Sequence, residues 1–208
     1  MQWFGIASGA FWLITYLLLV KRGYQDKACG MPMAALCLNI SWEFIFSFIY
    51  PHGGIQRAIN IAWFILDSIL VVQYLRFESA RRPAGHSAAF FYGAFLSILV
   101  VSFLVILLVT REFDNYAGYY TAFGQNLLMS ILFIRLLLDR KDLAGQSLYI
   151  GLAKLLGSLC ASVLVFVYAP ESQLTVFFAC AILFFDLAYI GLYVQKSRHL
   201  GINALMRW

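Results

Sequence analysis

MPMAALCLNISWEFIFSFI, residues 31–49, decides how the chain is read. It is apolar enough, and at roughly 20 residues long enough, to cross a bilayer as a helix. Yet it carries a carboxylate, Glu43, in its interior. Six further stretches of similar length and character surround it, at about 3–20, 57–75, 89–109, 118–138, 147–168 and 174–194. The whole chain has 208 residues, of which 62% are hydrophobic and 12% charged, and its mean hydropathy is +0.81. That composition excludes an ordinary soluble domain. The expected fold is all-α: a single seven-helix transmembrane domain over 1–208, with loops too short to fold alone. Function then lies inside the bundle or at its rim.

The net charge of +5 is a topology signal and does not point to nucleic acid. Lys21, Arg22, Lys27, Arg76, Arg81, Arg82, Arg135, Arg140, Lys141, Lys196, Arg198 and Arg207 fall at the 1–2, 3–4 and 5–6 connections or in the tail. The opposite connections hold only Arg57 and Arg111. The positive-inside bias predicts an external N-terminus and a cytoplasmic C-terminus. The first span lacks a basic leader and is followed by Lys21-Arg22, so it reads as a retained anchor. Cys29, Cys37, Cys160 and Cys180 have no metal-ligand spacing, and neither a disulfide nor a zinc site is expected. The tail QKSRHLGINALMRW reads as an interfacial segment.

WFILDSILVVQYL (63–75) and ILFFDLAYIGLYV (182–194) each place an Asp in mid-span and a Tyr seven residues later. That echo suits a parallel repeat of three spans, a linking span and three more. Pro32 begins a helix, while Pro51, Pro83 and Pro170 stand in connections.

Four ionisable residues fall well inside the spans: Glu43, Asp67, Lys154 and Asp186. A charged group at bilayer depth costs roughly 2.5–3.5 kcal/mol on insertion scales, so such residues face the bundle interior and mark function. The bland alternative for each is an interhelical strut. Asn39, Glu43 and Ser47 are spaced by four and share a helical face, flanked by Trp42 and Phe46. Trp63 stands one turn before Asp67, and Tyr189 and Tyr193 follow Asp186. Gln125 and Asn126 add amides at similar depth. These residues can converge on one pocket of carboxyls and amides lined by aromatic rings, although most rings in such a chain are simple packing. Burial in apolar surroundings penalises the charged form, so Glu43 is expected to carry a proton and serve as a general acid. Aromatic faces would stabilise a cation once formed. Lys154 is near enough to one end of its span for its stem to snorkel to the interface. It stands in the sixth span, where a retinal Schiff-base lysine is not expected, which argues against an opsin.

The stretch Asn39-Ile-Ser-Trp42-Glu43-Phe, with Asp67 in the next span and Asp186 in the last, resembles the small integral-membrane terpene cyclases. These are the cyclases of fungal meroterpenoid and indole-diterpene pathways and their bacterial indole-sesquiterpenoid relatives. The resemblance covers nearly the whole chain. It implies an enzyme that cyclises a linear prenyl chain, often bearing a terminal epoxide, without loss of diphosphate. The family's catalytic pair falls on Glu43 and Asp186. Asn39, Trp42, Trp63, Asp67, Gln125, Asn126 and Tyr189 are the expected substrate-binding residues. No DDxxD or DxDD run is present, and neither a metal nor another cofactor is expected. The expected partners are a lipophilic prenylated substrate, membrane lipid, and a prenyltransferase or epoxidase of the same pathway. The location is a bacterial inner membrane, or the endoplasmic reticulum in a eukaryote. The rival reading is a small triple-helix-bundle carrier that binds a solute or proton at the same carboxylates. A structural or assembly role ranks last.

Overall fold

Each apolar run becomes a helix because, away from water, only hydrogen bonds within the segment satisfy its backbone. The computed structural model describes residues 2–82, 85–168 and 171–208. Its helices are α1 (Gln2–Asp26), α2 (Met33–Phe44), α3 (Gly54–Gln73), α4 (Ala88–Phe113), α5 (Tyr119–Asp139), α6 (Leu148–Tyr168) and α7 (Gln173–His199). Six are long and apolar enough to cross a membrane; α2 and its continuation, Met33–Ile49, are shorter. Pro83 and Pro170 lie outside the described residues.

The outer faces carry exposed Leu17, Leu96, Val101, Leu138 and Phe184. An apolar belt of this kind suits lipid rather than water. Inside, α1 packs on α3 and α6, α7 on α5 and α6, and the short α2 against α3, α4 and α5. Alongside α6, Ser8 Oγ donates to the Gly157 carbonyl at 2.9 Å. A side chain at Gly157 would run into the Trp12 ring, so the absence of a Cβ lets α1 lie close and seats Trp12 on α6.

Two of the departures from the expected span boundaries fall at the same end of the bundle. α1 continues past residue 20 to Asp26, and α7 runs through His199. Both extensions are held at one end of the bundle. Arg22 pairs with Asp26 at 2.6 Å, and Arg207 reaches the same carboxylate at 2.5 Å. Lys21 lies 3.3 Å from the centre of the Trp208 ring. The first five residues of the expected interfacial tail, 195–199, are therefore helix, and its end folds back over the end of α1. At this end the α1–α2 and α5–α6 connections touch through their backbones. Arg140 bonds to Glu78 at 2.7 Å and to the Cys29 carbonyl at 3.0 Å. The Cys29 amide donates to Glu78 at 2.8 Å.

Both α2 and α3 end in a π-helical turn, Ile45–Ile49 and Tyr74–Glu78. After α2 the Tyr50 amide reaches back to the Ile45 carbonyl at 2.8 Å. The widened turn frees carbonyls that side chains then satisfy: Arg57 Nε donates to Ser47 O and Asn60 Nδ2 to Phe46 O, both at 3.2 Å. π-turns of this kind are frequent at functional sites.

His52 closes this end. Its Nε2 donates to Ala117 O at 3.1 Å while Nδ1 accepts from Asn60 at 3.0 Å, and the ring stacks on Phe46 at 4.6 Å. These contacts need the neutral ring, and burial pushes its pKa below the usual 6.5. The unfolded chain therefore takes up this proton first, and the His52 contribution is complete above pH 6.5 and lost as pH falls below it. His52→Gln is expected to lower Tm at pH 7.5 and to flatten the decline of Tm between pH 6.5 and 5. Thermal melts of both proteins across that range check this.

Candidate active site

α2 has no side-chain cap and little length, so its place rests on what its buried face meets. That face presents Asn39 and Glu43, one turn apart. Glu43 Oε1 accepts from Tyr16 OH of α1 and from Asn39 Nδ2, each at 2.9 Å. Asn39 Nδ2 also donates to Asp67 Oδ2 of α3 at 2.8 Å and lies in close contact with Tyr16 OH. An amide has two hydrogens. Both go to the carboxyls, and Tyr16 supplies its own to Glu43. Asn39 thus ties two carboxyls together through one amide nitrogen. Glu43 is 1% exposed and Asp67 0%, and no cation bonds to either among the described residues. Two buried like charges at this range are not held together without a proton, so the pair is a proton-bearing unit. The second oxygens, Glu43 Oε2 and Asp67 Oδ1, are buried without a partner, as is Trp63 Nε1.

The expected single pocket separates into two clusters. Asp186 does not bond to Glu43. Its Oδ1 pairs with Lys154 Nζ at 2.7 Å, and the ammonium also donates to Ser130 Oγ at 2.7 Å. Lys154 is 2% exposed, so the snorkelling reading is corrected: the stem turns inward because α7 offers it a carboxylate that would otherwise be buried alone. Asp186 Oδ2 and the Tyr189 hydroxyl have no partner, and the Tyr189 ring packs on Phe133 at 5.7 Å. Asn126 donates to Ser158 at 2.9 Å, and Gln125 is buried with its carbonyl oxygen unpartnered. The two positions of the sequence echo, Asp67 and Asp186, thus bond to an amide and an ammonium respectively.

Rings of α1 connect the clusters. Trp12 lies 6.0 Å from Tyr16, whose hydroxyl serves Glu43, and 5.7 Å from Lys154 Nζ. Tyr16 is also 6.4 Å from Trp63. Trp42 faces elsewhere: its indole N–H donates to Gly118 O at 3.2 Å and its ring sits 4.6 Å from Phe46. Ser47, expected on the Glu43 face, is buried, and its hydroxyl has no hydrogen-bond partner. Tyr16 and Ser130 are the cluster residues that the sequence reading passed over, while Lys154 was singled out but expected at the interface. The signal for Tyr16 was only a hydroxyl inside an otherwise apolar first span.

A crevice of about 240 Å³ opens at the other end of α2, lined by Pro32, Tyr74, Glu78, Arg135 and Arg140 among others. It includes no member of either acid cluster. Among the described residues no group of His, Cys, Asp and Glu side chains is placed to hold a metal ion.

Sequence comparison finds relatives that are named as terpene cyclases. A cyclase named mfmH from Annulohypoxylon moriforme is 28% identical over 93% of this chain and 85% of its own length. The terpene cyclase macJ of Penicillium terrestre is 27% identical over 76% of this chain and 64% of its own. The terpene cyclase andB of Emericella variicolor is 30% identical over 75% and 67% respectively. No solved structure matches. The family profile of the Pyr4-like transmembrane terpene cyclases covers residues 1–199, and the chain belongs to that family of integral-membrane enzymes.

Proposed function

We propose that this protein protonates an epoxide oxygen or terminal alkene of a linear prenylated substrate and guides the resulting cation into rings, with no diphosphate lost. The observation that carries the reading is the Tyr16–Asn39–Glu43–Asp67 cluster, two buried carboxyls tied by one amide with one oxygen of each left without a hydrogen-bond partner. Glu43 is the acid. Asp67 and Asn39 hold its proton in place, and Tyr16 steadies the carboxylate left after transfer. Trp63, Tyr16 and Trp12 offer ring faces beside the acid, and Tyr189 does so beside Asp186. Asp186 serves the later course of the reaction, away from the proton donor. Gln125 and Asn126 bind polar parts of the substrate.

The curated relatives are terpene cyclases by name, and that supports a lipophilic prenylated substrate. Such a substrate enters from lipid, after a prenyltransferase and, for an epoxide, an epoxidising enzyme have made it. The charge bias supports a C-terminus in the cytoplasm, and the basic ends of α1 and α7 meet there. The match to a cyclase family weighs against the carrier reading.

Membranes containing the protein are expected to convert a farnesylated phenol epoxide into a cyclised isomer. Asp67→Asn keeps the shape of the cluster but weakens the hold on the acid's proton, and is expected to slow turnover about 10- to 100-fold. Product analysis by chromatography and mass spectrometry at matched expression measures it. Uptake of a solute by proteoliposomes, with no cyclised product, would instead favour the carrier.

A further inference from the structure

Lys154 has no part in the acid cluster, yet it is among the largest fully buried side chains of the protein. An ammonium has three hydrogens to place. One goes to Asp186 Oδ1 and one to Ser130 Oγ, each at 2.7 Å. Ser130 passes its own hydrogen to the Asn126 carbonyl at 3.0 Å, leaving its lone pairs for the lysine. The third lies toward the Trp12 face, 5.7 Å from the ring centre, within cation–π range. Every hydrogen of the cation therefore has a receiver, drawn from α1, α5 and α7. The second oxygen, Asp186 Oδ2, stays buried without any partner.

We propose that Lys154 is a positioning residue that holds Asp186 as a carboxylate, so that the two acid clusters keep opposite protonation states. One end, Glu43 with Asp67, retains a hydrogen to give. The other presents a fixed anionic oxygen, Oδ2, as counter-charge for the substrate cation, with no hydrogen that could start a second, misplaced protonation. Trp12 and Tyr16 separate the ends with aromatic surface. The consequence for turnover rests on the cyclase reading; the protonation state of Asp186 does not.

Infrared difference spectra of purified protein in lipid nanodiscs at pH 7 test the assignment directly. Subtracting Asp186→Asn from wild type is expected to show loss of a carboxylate signal, with the protonated-carboxyl carbonyl band unchanged. Loss of a protonated-carboxyl band on that substitution would overturn the proposal. Lys154→Met is expected to create a new protonated-carboxyl band that vanishes in Lys154→Met/Asp186→Asn; absence of the new band would also overturn it. The double variant removes both buried charges and so remains foldable where either single change strands one. In turnover, Lys154→Met is expected to lower kcat about 10- to 1,000-fold with KM within about twofold, and Lys154→Arg to recover part of the loss. Unchanged kcat in Lys154→Met would remove the functional role. Normal turnover by Glu43→Gln, with Asp186 still a carboxylate, would sink the acid assignment and leave the Lys154 assignment standing.

Discussion

Glu43→Gln is expected to reduce cyclised product about 100- to 10,000-fold at normal protein level. The amide matches the acid in size and still accepts from Tyr16 and Asn39 through its oxygen, so the contacts of α2 with α1 and α3 survive. What it lacks is a hydrogen acidic enough to transfer. Substrate binding is expected to persist, with the loss in kcat rather than KM. Glu43→Asp retains the acid but shortens its reach by one methylene, and its rate is expected to fall between the two. A substrate-bound protein that no longer turns over would therefore point to chemistry, whereas failed expression would point to folding. Matched quantification of protein and product, with KM measured on the same membranes, distinguishes them.

Gly145→Ala carries a larger expected effect on stability than His52→Gln. The residue has φ +75°, and a Cβ there would meet the backbone of Gly30 and Cys29 at 2.8–3.0 Å. The left-handed backbone costs an alanine about 1–2 kcal/mol, and relieving backbone overlap adds about 1–3 kcal/mol. Neither neighbour can yield by a rotamer change, because both are main chain. The contact also sits within the Arg140–Glu78–Cys29 network, where Asp26 accepts from the Gly145 amide at 2.8 Å. Pushing the two connections apart would loosen several charged bonds at once. Gly145→Ala is expected to lower Tm by several degrees and to reduce membrane-inserted protein, whereas Gly53→Ala, with open space around it, should change little. Thermal melts in detergent and fluorescence-detected size exclusion check both.

The architecture was legible because hydropathy and the absence of strand alternation leave a membrane chain few choices. Within the site, Asn39 and Glu43 were legible from their four-residue spacing, and Asp67 from its depth in the next span. The division into two clusters was not. Asp186 and Glu43 look equivalent as lone acids in apolar spans, and only the inward course of the Lys154 stem assigns them different neighbours. A lysine near a span end has two outlets of similar length, water or a buried carboxylate, and periodicity does not choose between them. Tyr16 was hidden among ordinary aromatic residues. The helical ends of α1 and α7 were missed for another reason: the last turn of α1 is held by the Arg207–Asp26 ion pair, and that of α7 by Lys196, which donates to the Leu137 and Arg140 carbonyls.

The central claim, that a buried acid pair isomerises a prenyl chain by donating a proton, is tested most directly with purified protein, chelator and a farnesylated phenol epoxide. Wild type is expected to form a cyclised product of unchanged mass, and Glu43→Gln of equal amount and fold to form almost none. Equal rates of product formation by the two proteins would contradict the account.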